Sequence, residues 1–292
     1  MTHTTKQVAH IYQGVQAHMV GDGFKVQNLF PGGNKMIGKQ LSPFFLLDYA
    51  APHYFAPSET PRGVEEHPHR GFETVTIAYQ GALEHRDSGG NSGKIGPGDV
   101  QWMTAASGVV HEEKHERDFT RTGGILEMAQ LWVNLPKAHK MDPPRYQSIL
   151  DTDIPVKDLG HGSFARIIAG NFEGVNGPAK TFTPVNLFDI RLTAGTETTL
   201  TLPDGYNTGI VVLKGAVSIN GTHAAKAVEI AVFEQNGETI TVKAEEDSTL
   251  LVLNGEPIRE SIFAYGPFVM NTKEEIIQAI DDFNDGKMGR LN

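Results

Sequence analysis

Short apolar runs separated by turn residues recur along the whole chain. The clearest of them are Thr74–Tyr79, Leu131–Val133, Gly209–Leu213 and Leu250–Leu253. Each run is about as long as one β-strand, is rich in Val, Ile or Leu, and is soon followed by Gly or Asn. Many short strands joined by frequent turns are typical of sandwiches and barrels, so the pattern predicts an all-β fold.

Helical periodicity is clear only near the end of the chain. Asn271 or Thr272 can cap a helix there, and Thr272 with Glu275 has the spacing of a capping box. Gly286 is a suitable residue to end the helix. The apolar face of this helix is predicted to be formed by Ile276, Ile277, Ile280 and Phe283.

The length of 292 residues predicts two domains. Pro143–Pro144 should interrupt regular structure, and Asp151–Pro155 has the composition of a linker. We therefore expect one domain over residues 1–150 and a second over residues 151–292, with the helix in the second domain.

The two halves also share a weak internal similarity. Val75–Gly81 is followed by a strand start at Gly98–Val100, and Ile210–Gly215 is followed by one at Ala227–Ile230. The similarity predicts two related β-domains.

Composition narrows the classes of function. Lys and Arg number 25 against 35 Asp and Glu, which gives a net charge of −10 and argues against a surface for nucleic acid. The absence of cysteine excludes disulfides, iron–sulfur clusters and Cys-ligated zinc, so any metal must be held by His and carboxylate. The polar segment Met1–Val15 lacks a signal-peptide core, and the apolar run Pro43–Leu47 is too short to span a bilayer. A soluble, cytoplasmic protein that binds no membrane is therefore expected.

Two pairs of potential metal ligands stand at strand spacing. His67 and His69 are separated by one residue, as are His111 and Glu113. Residues i and i+2 of a strand point to the same face, so each pair would present two ligands side by side. If the two strands are neighbours in a barrel, the four side chains converge on one metal ion.

Other titratable residues in this half have a plainer interpretation. A single His-x-His pair is weak evidence, and most of the remaining histidines, His53, His85 and His115, are predicted to lie on the surface. Glu65 and Glu66, which precede the first pair, are expected to be solvated. The second pair at matching spacing is what favours a metal site.

Four segments resemble one protein family. They are His67–Thr76, Pro97–Glu113, Leu131–Pro136 and Gly266–Thr272, and together they extend over most of the chain. These segments are similar to the conserved blocks of the pirin family within the cupin superfamily. The resemblance implies two tandem cupin-type β-barrels, or jelly rolls, with a short C-terminal helix.

The resemblance also implies which residues bind the metal. In pirins the first two blocks supply three His and one Glu to a single ion, which by position are His67, His69, His111 and Glu113. Fe(II) is the metal that the family implies, although Mn, Co, Ni, Cu and Zn suit the same ligands. Glu113 is favoured over Glu73, which other cupins use and which we interpret as a second-layer or structural residue.

The second half has no His-x-His pair, and its only histidines are His161 and His223. It resembles the metal-free second barrel of pirins. The expected organisation is thus a metal-binding cupin domain followed by a metal-free one.

The resemblance implies quercetin 2,3-dioxygenase activity, in which O₂ opens the ring of a flavonol. Four protein ligands on an octahedral ion would leave two positions for a small aromatic substrate and O₂. Glu113 would serve both as a ligand and as the catalytic base for the flavonol hydroxyl. Asp48 and Arg70 are candidate pocket residues, with a strand-end cap and a surface salt bridge as the alternative interpretations.

Two other functions compete with the dioxygenase. Some pirins act as regulators through protein partners, and the acidic charge is compatible with a protein partner. A zinc hydrolase is less favoured, because catalytic zinc commonly keeps three protein ligands and a water.

Overall fold

The structure is a computed structural model that describes residues 4–30 and 40–291. In the first half the strands are β1 (Val8–Gln13), β2 (His18–Val20), β3 (Phe24–Phe30), β4 (Phe44–Phe55), β5 (Gly63–His69), β6 (Phe72–Gln80), β7 (Leu83–Asp87), β8 (Ser92–Ile95), β9 (Val100–Thr104), β10 (Val109–His115), β11 (Gly124–Asn134) and β12 (Arg145–Ile149). In the second half they are β13 (Val156–Gly160), β14 (Ser163–Ala169), β15 (Asn171–Phe172), β16 (Val175–Asn176), β17 (Val185–Leu192), β18 (Glu197–Thr201), β19 (Asn207–Lys214), β20 (Ala216–Ile219), β21 (His223–Lys226), β22 (Glu229–Phe233), β23 (Thr239–Ala244), β24 (Ser248–Gly255), β25 (Phe263–Tyr265) and β26 (Phe268–Met270). The helices that lie wholly within the described residues are α1 (Arg117–Thr122), α2 (Lys273–Asn284) and short 3-10 turns at Lys137–His139 and Asp151–Asp153. No helix in those residues is long and apolar enough to cross a membrane.

The strands build two units, each with a seven-stranded and a four-stranded sheet, which confirms the predicted all-β fold of two barrels. In the first barrel the sheet orders are β12-β9-β6-β11-β4-β3-β2 and β5-β10-β7-β8. In the second barrel they are β1-β22-β19-β24-β17-β14-β13 and β18-β23-β20-β21. The two orders correspond strand for strand. The similar segments noted in the sequence fall on β6–β9 and β19–β22, which occupy equivalent places.

The division of the chain differs from the expected 1–150 and 151–292. The first barrel comprises Gln16–Gly33, Phe45–Asp151 and Ile258–Asn292, and the second comprises Met1–Val15, Asn34–Phe44 and Thr152–Pro257. The boundary after Asp151 lies where the linker was expected, but the terminal segments are exchanged. The exchange has a physical cause at each end, and in this division α2 lies with the first barrel.

Strand pairing accounts for the first exchange. The early strand β1 pairs antiparallel with β22, with Tyr12 opposite Ile230, and so completes an edge of the second barrel. In the first barrel β12 takes the equivalent edge beside β9. A segment this short carries no sign in its own sequence of which sheet it will join.

Apolar packing accounts for the second exchange. Ile276 and Ala279 of α2 are buried in a cluster with Val110, Phe268 and Met288. The capping box of Thr272 and Glu275 is present, as predicted. These contacts fasten the C-terminal segment to the first barrel.

The buried face of α2 was predicted only in part. Ile276 is buried, but Ile277 and Phe283 are 49% and 38% exposed. The helix is rotated so that Asp282 faces inward, where its Oδ2 accepts a hydrogen bond from Arg70 Nη1 at 2.9 Å. The inward face of the helix therefore includes a charged residue, which a prediction from the apolar residues alone could not include.

Arg70 links two loops to this helix. Besides the ion pair with Asp282, its Nε donates to the carbonyl of Ser107 at 2.6 Å. Hydrogen bonds from Lys287 and Arg70 hold the pKa of Asp282 at about 2. The carboxylate is thus ionised at neutral pH and fixes a guanidinium that is itself buried.

Lys140 also links the C-terminal segment to the loop that follows β5. Its buried Nζ donates to Asn134 Oδ1 at 2.6 Å and to the carbonyls of Gly71 and Val269 at 2.7 Å each. Gly71 directly follows the segment that carries the paired histidines. The C-terminal hairpin β25–β26 is therefore anchored to that segment.

The interior of the first barrel changes from apolar to polar along its strands. The apolar end is formed by Phe24, Val26, Ala50, Ala78, Leu83, Ile95, Leu126 and Met128. On the same inward faces, one step of two residues along β3, β4, β6 and β11, stand Asn28, Asp48, Thr76 and Gln130. The second barrel has a larger apolar cluster, and the polar residues that continue its inward faces are Asn186, Thr208 and Asn254.

Glu73 lies on the opposite face of β6 from Thr76. It is buried, accepts a hydrogen bond from Thr104 Oγ1 at 2.7 Å, and lies 3.6 Å from Arg145 Nη2. Burial raises the pKa of Glu73 to about 7, despite these partners. Glu73 is thus directed away from the polar end of the interior.

We expect Asp282→Ala to destabilise the protein by about 3 kcal/mol, because it leaves the buried guanidinium of Arg70 without its counter-charge. Urea unfolding at neutral pH measures the change. Asp281→Ala is the matched control, since Asp281 is exposed and the same charge is removed. Equal losses in the two variants would contradict the structural role given to this ion pair.

We expect Glu73→Gln to stabilise the protein increasingly as the pH rises. The pKa of Glu73 is about 7 in the folded protein against 4.5 ordinarily. Between these pH values the carboxyl is ionised in the unfolded chain and protonated in the folded one, so the parent loses stability as the pH rises. The variant should match the parent near pH 4, below the ordinary pKa, and exceed it by up to about 3 kcal/mol near pH 8. Glu66→Gln is the control, because Glu66 is exposed. Urea unfolding at both pH values should show no pH-dependent gain in the stability of that variant.

Candidate metal centre

The two ligand pairs lie on neighbouring antiparallel strands, as the sequence predicts. In the register of β5 and β10, His111 stands opposite His67 and Val109 stands opposite His69. The register shifts between His111 and Glu113, so that Glu113 stands opposite Val64. Because of this bulge, Glu113 is displaced along the strand from the three histidines.

Three histidines converge at the polar end of the first barrel. One ring nitrogen from each of His67, His69 and His111 lies within 4.8 Å of the others. Their ring centroids are 4.2 to 4.9 Å apart. His69 and His111 are buried, whereas His67 is partly exposed and marks the open side of the group.

The hydrogen bonds of the rings leave one nitrogen of each free to bind a metal. His67 Nδ1 donates to the carbonyl of Glu65 at 2.7 Å, and His69 Nδ1 donates to that of Pro267 at 3.4 Å. Both rings therefore keep the Nε2 lone pair. The Nε2 of His111 is buried and has no hydrogen-bond partner within the described structure. Such an orphaned acceptor between two further imidazoles fits a transition-metal ion.

The electrostatic setting also suits a metal. Burial, and then the neighbouring histidines, lower the pKa of His69 and of His111 well below the ordinary value. Neutral imidazole is the form that binds metals, so at neutral pH no proton must be displaced from these rings.

Glu113 is close to His111 but does not join the three-histidine group. A carboxylate oxygen of Glu113 lies within 4.8 Å of ring nitrogens of His85 and His111. Its Oε2 accepts from Gln130 Nε2 at 2.8 Å, and its Oε1 accepts from Thr76 Oγ1 at 3.3 Å. The structure therefore brings Glu113 to the edge of the site with both oxygens on polar wall residues. Its place as the fourth ligand stays a prediction.

His85 is buried, although the sequence predicted it on the surface. It is 4% exposed, and its Nδ1 lies 3.3 Å from His111 Nδ1. His115 was misplaced in the same way and is buried, with its Nε2 donating to the carbonyl of Gly23. Glu65 and Glu66 are exposed, as expected. The i, i+2 spacing of His85 and Asp87 is the signal that could have placed His85 beside the ligand pairs.

The two candidate pocket residues differ in position. Asp48 is half-buried at the polar end of the interior and accepts a hydrogen bond from Asn28 Nδ2 at 2.7 Å. Burial raises the pKa of Asp48, although the Asn28 bond opposes the shift. The guanidinium of Arg70 is engaged by Asp282 and Ser107 instead, and burial makes this ion pair different from the surface salt bridge considered above.

An aromatic wall stands beside the histidines. The ring of His69 lies 5.0 Å from that of Phe72 and 5.2 Å from that of Trp132. Leu46 and Phe45 complete the same apolar cluster. A flat aromatic molecule near His69 would thus meet apolar surface on one side and the polar interior on the other.

Both groups of potential metal ligands found among residues 4–30 and 40–291 belong to the first barrel. On β18 and β23 of the second barrel, which correspond to β5 and β10, the inward-facing pair is Leu200 opposite Ile240, and both side chains are buried. The interior of that barrel holds a large apolar cluster together with the hydrogen-bonded Asn186, Thr208 and Asn254, and those residues include no comparable group of metal ligands.

Comparisons with known proteins agree over the whole chain. Residues 23–133 match the family model described as "Pirin", and residues 187–289 match "Pirin C-terminal cupin domain". A crystal structure titled quercetin 2,3-dioxygenase from Acinetobacter baumannii is 51% identical with a TM-score of 0.96, covering 99% of this chain and 100% of the other.

Curated relatives give the same result. A protein of Pseudomonas aeruginosa named "Putative quercetin 2,3-dioxygenase" is 50% identical and covers 98% of this chain and 100% of its own length. Pirin of Homo sapiens is 37% identical, covering 86% of this chain and 84% of its own length. The chain therefore belongs to the pirin family.

Proposed function

We propose that this protein is a dioxygenase that uses O₂ to open a flavonol ring at a single metal ion bound by the first barrel. The observation that carries the proposal is the convergence of His67, His69 and His111, each with its Nε2 free for a metal. Relatives named for quercetin 2,3-dioxygenase activity support the choice of reaction and substrate class.

The ligand set of the proposal is His67, His69, His111 and Glu113. Three neutral imidazoles and one carboxylate suit Fe(II), and also Mn, Co, Ni, Cu or Zn. Fe(II) is proposed because it supplies the redox chemistry that couples an organic substrate to O₂. The residues around the site then determine what enters and how it is held.

Each wall of the site has a separate task in this proposal. Phe72 and Trp132 contact the flat face of a flavonol and exclude water from it. Asp48 and Gln130 offer polar groups to the substrate hydroxyls. Glu113 accepts the proton of the flavonol hydroxyl, since its carboxylate lies at the boundary between the histidines and this polar wall.

The proposal predicts that protein reconstituted anaerobically with Fe(II) will bleach the absorbance of quercetin when O₂ is admitted. His69→Ala should lose most of its bound metal and the bleaching with it, because the three remaining ligands bind the ion more weakly and no longer hold it in the same geometry. Metal analysis and absorbance spectroscopy measure the two effects. His10→Ala, which removes an exposed histidine of the second barrel, should change neither.

Two outcomes would count against the proposal. Full metal retention by His69→Ala would contradict the ligand assignment. An iron-loaded parent that leaves quercetin unchanged would contradict the dioxygenase, and recovery of a partner by pull-down would then favour the regulatory function considered in the sequence analysis.

A further inference from the structure

Two buried polar residues lie behind the candidate metal centre and belong to no ligand set proposed above. His85 and Asp87 are on β7, which pairs antiparallel with β10. In that register Asp87 stands opposite His111, and His85 stands opposite Glu113. Both are less than one-tenth exposed. Buried polar side chains cost stability unless they are hydrogen-bonded, so their partners indicate their role.

The partners form a chain that leads from the metal centre to a fixed carboxylate. His111 Nδ1 lies 3.3 Å from His85 Nδ1, and His85 Nε2 lies 3.4 Å from Asp87 Oδ2. Asp87 Oδ1 in turn accepts from the backbone N–H groups of Gly89 at 2.9 Å and Asn91 at 3.0 Å. The Nδ2 of Asn91 also donates to both carboxylate oxygens. Asp87 is therefore held rigidly by the turn that follows β7.

For a neutral His85, the hydrogen-bonding capacity of these groups assigns every proton in the chain. A carboxylate only accepts, so the His85 nitrogen that faces Asp87 must carry a hydrogen. A neutral His85 then has a lone pair on Nδ1, and His111 Nδ1 must donate to it. The remaining nitrogen of His111, its buried and orphaned Nε2, is left with its lone pair directed to the centre.

A flat contact holds His85 in this orientation. The ring of Tyr146 from β12 stacks on the ring of His85, with centroids 5.2 Å apart and an interplanar angle of 15°. Turning the His85 ring out of the plane it shares with Tyr146 would lose the stacking, and a flip by half a turn, which keeps the ring in that plane, would lose the bond to Asp87. The position of Nδ1 opposite His111 is thus set from two sides.

We propose that His85 and Asp87 are positioning residues that fix the tautomer and ring orientation of His111 for metal binding. The inference rests on the metal centre of the proposed function. With the opposite tautomer, His111 would place an N–H where the ion must bind, and the two remaining histidines would form an incomplete site.

The test compares Co(II) affinity in apo protein, measured by competition with a chelator and by the visible spectrum of bound Co(II). His85→Leu should weaken binding by about 10- to 100-fold, as loss of an outer hydrogen bond to a metal-bound histidine typically does. His85→Asn should restore most of the affinity, because its amide oxygen can accept from His111 Nδ1. A role in packing alone predicts the reverse order, since Leu fills the apolar space better than Asn.

Asp87→Asn provides an independent arm. Its amide can donate to His85 Nε2, which reverses the chain and puts the hydrogen on His111 Nε2. Affinity for Co(II) should fall about as far as in His85→Leu, although the side chain is nearly unchanged in shape. Glu84→Gln is the matched control, since it makes the same charge change on the other face of β7 and should bind Co(II) normally.

The outcomes separate this inference from the proposed function. A parent that binds no Co(II) would overturn both. A parent that binds normally, together with unchanged affinity in His85→Leu and Asp87→Asn, would overturn only the positioning role. A second Co(II) ion per chain that disappears in His85→Leu would also overturn it, because that ion would occupy the place of the hydrogen bond between His85 and His111.

Discussion

The pairing of β5 with β10 is the constraint on which the rest of the site depends. Its register sets His67 opposite His111 and turns both side chains to the interior. A slip by one residue would turn every side chain of a strand to the other face, so the histidines would separate. The C-terminal segment resists such a slip, because Arg70 and Lys140 bind it to the loop that follows β5 and the loop that precedes β10.

The second barrel shows that strand order alone does not make a metal site. It has the same arrangement of seven and four strands, yet Leu200 stands opposite Ile240 on the inward face of the strands that correspond to β5 and β10. The polar residues at the corresponding end of its interior, Asn186, Thr208 and Asn254, are hydrogen-bonded to one another and include no imidazole or carboxylate. The common scaffold thus supports one barrel that is filled for stability and another whose polar end is available for chemistry.

Features of the site that depend on local spacing could be predicted from the sequence. The alternation of a strand is enough to pair His67 with His69, and the cap of α2 follows from Thr272 and Glu275. Features that depend on distant partners could not. Asp282 is a charged residue on the buried face of its helix because it pairs with Arg70, which lies more than two hundred residues earlier in the chain. His85 resembles a surface histidine until β7 is known to adjoin β10.

The polar end of the barrel has a cost that a bound metal offsets. A buried nitrogen without a partner, such as His111 Nε2, costs about 1 to 3 kcal/mol. The low pKa of His69 and His111 means that protonation cannot relieve this cost near neutral pH. Any ion that binds only the folded chain therefore adds its binding free energy to stability. The same burial that keeps the imidazoles neutral thus couples folding of the first barrel to occupation of its site.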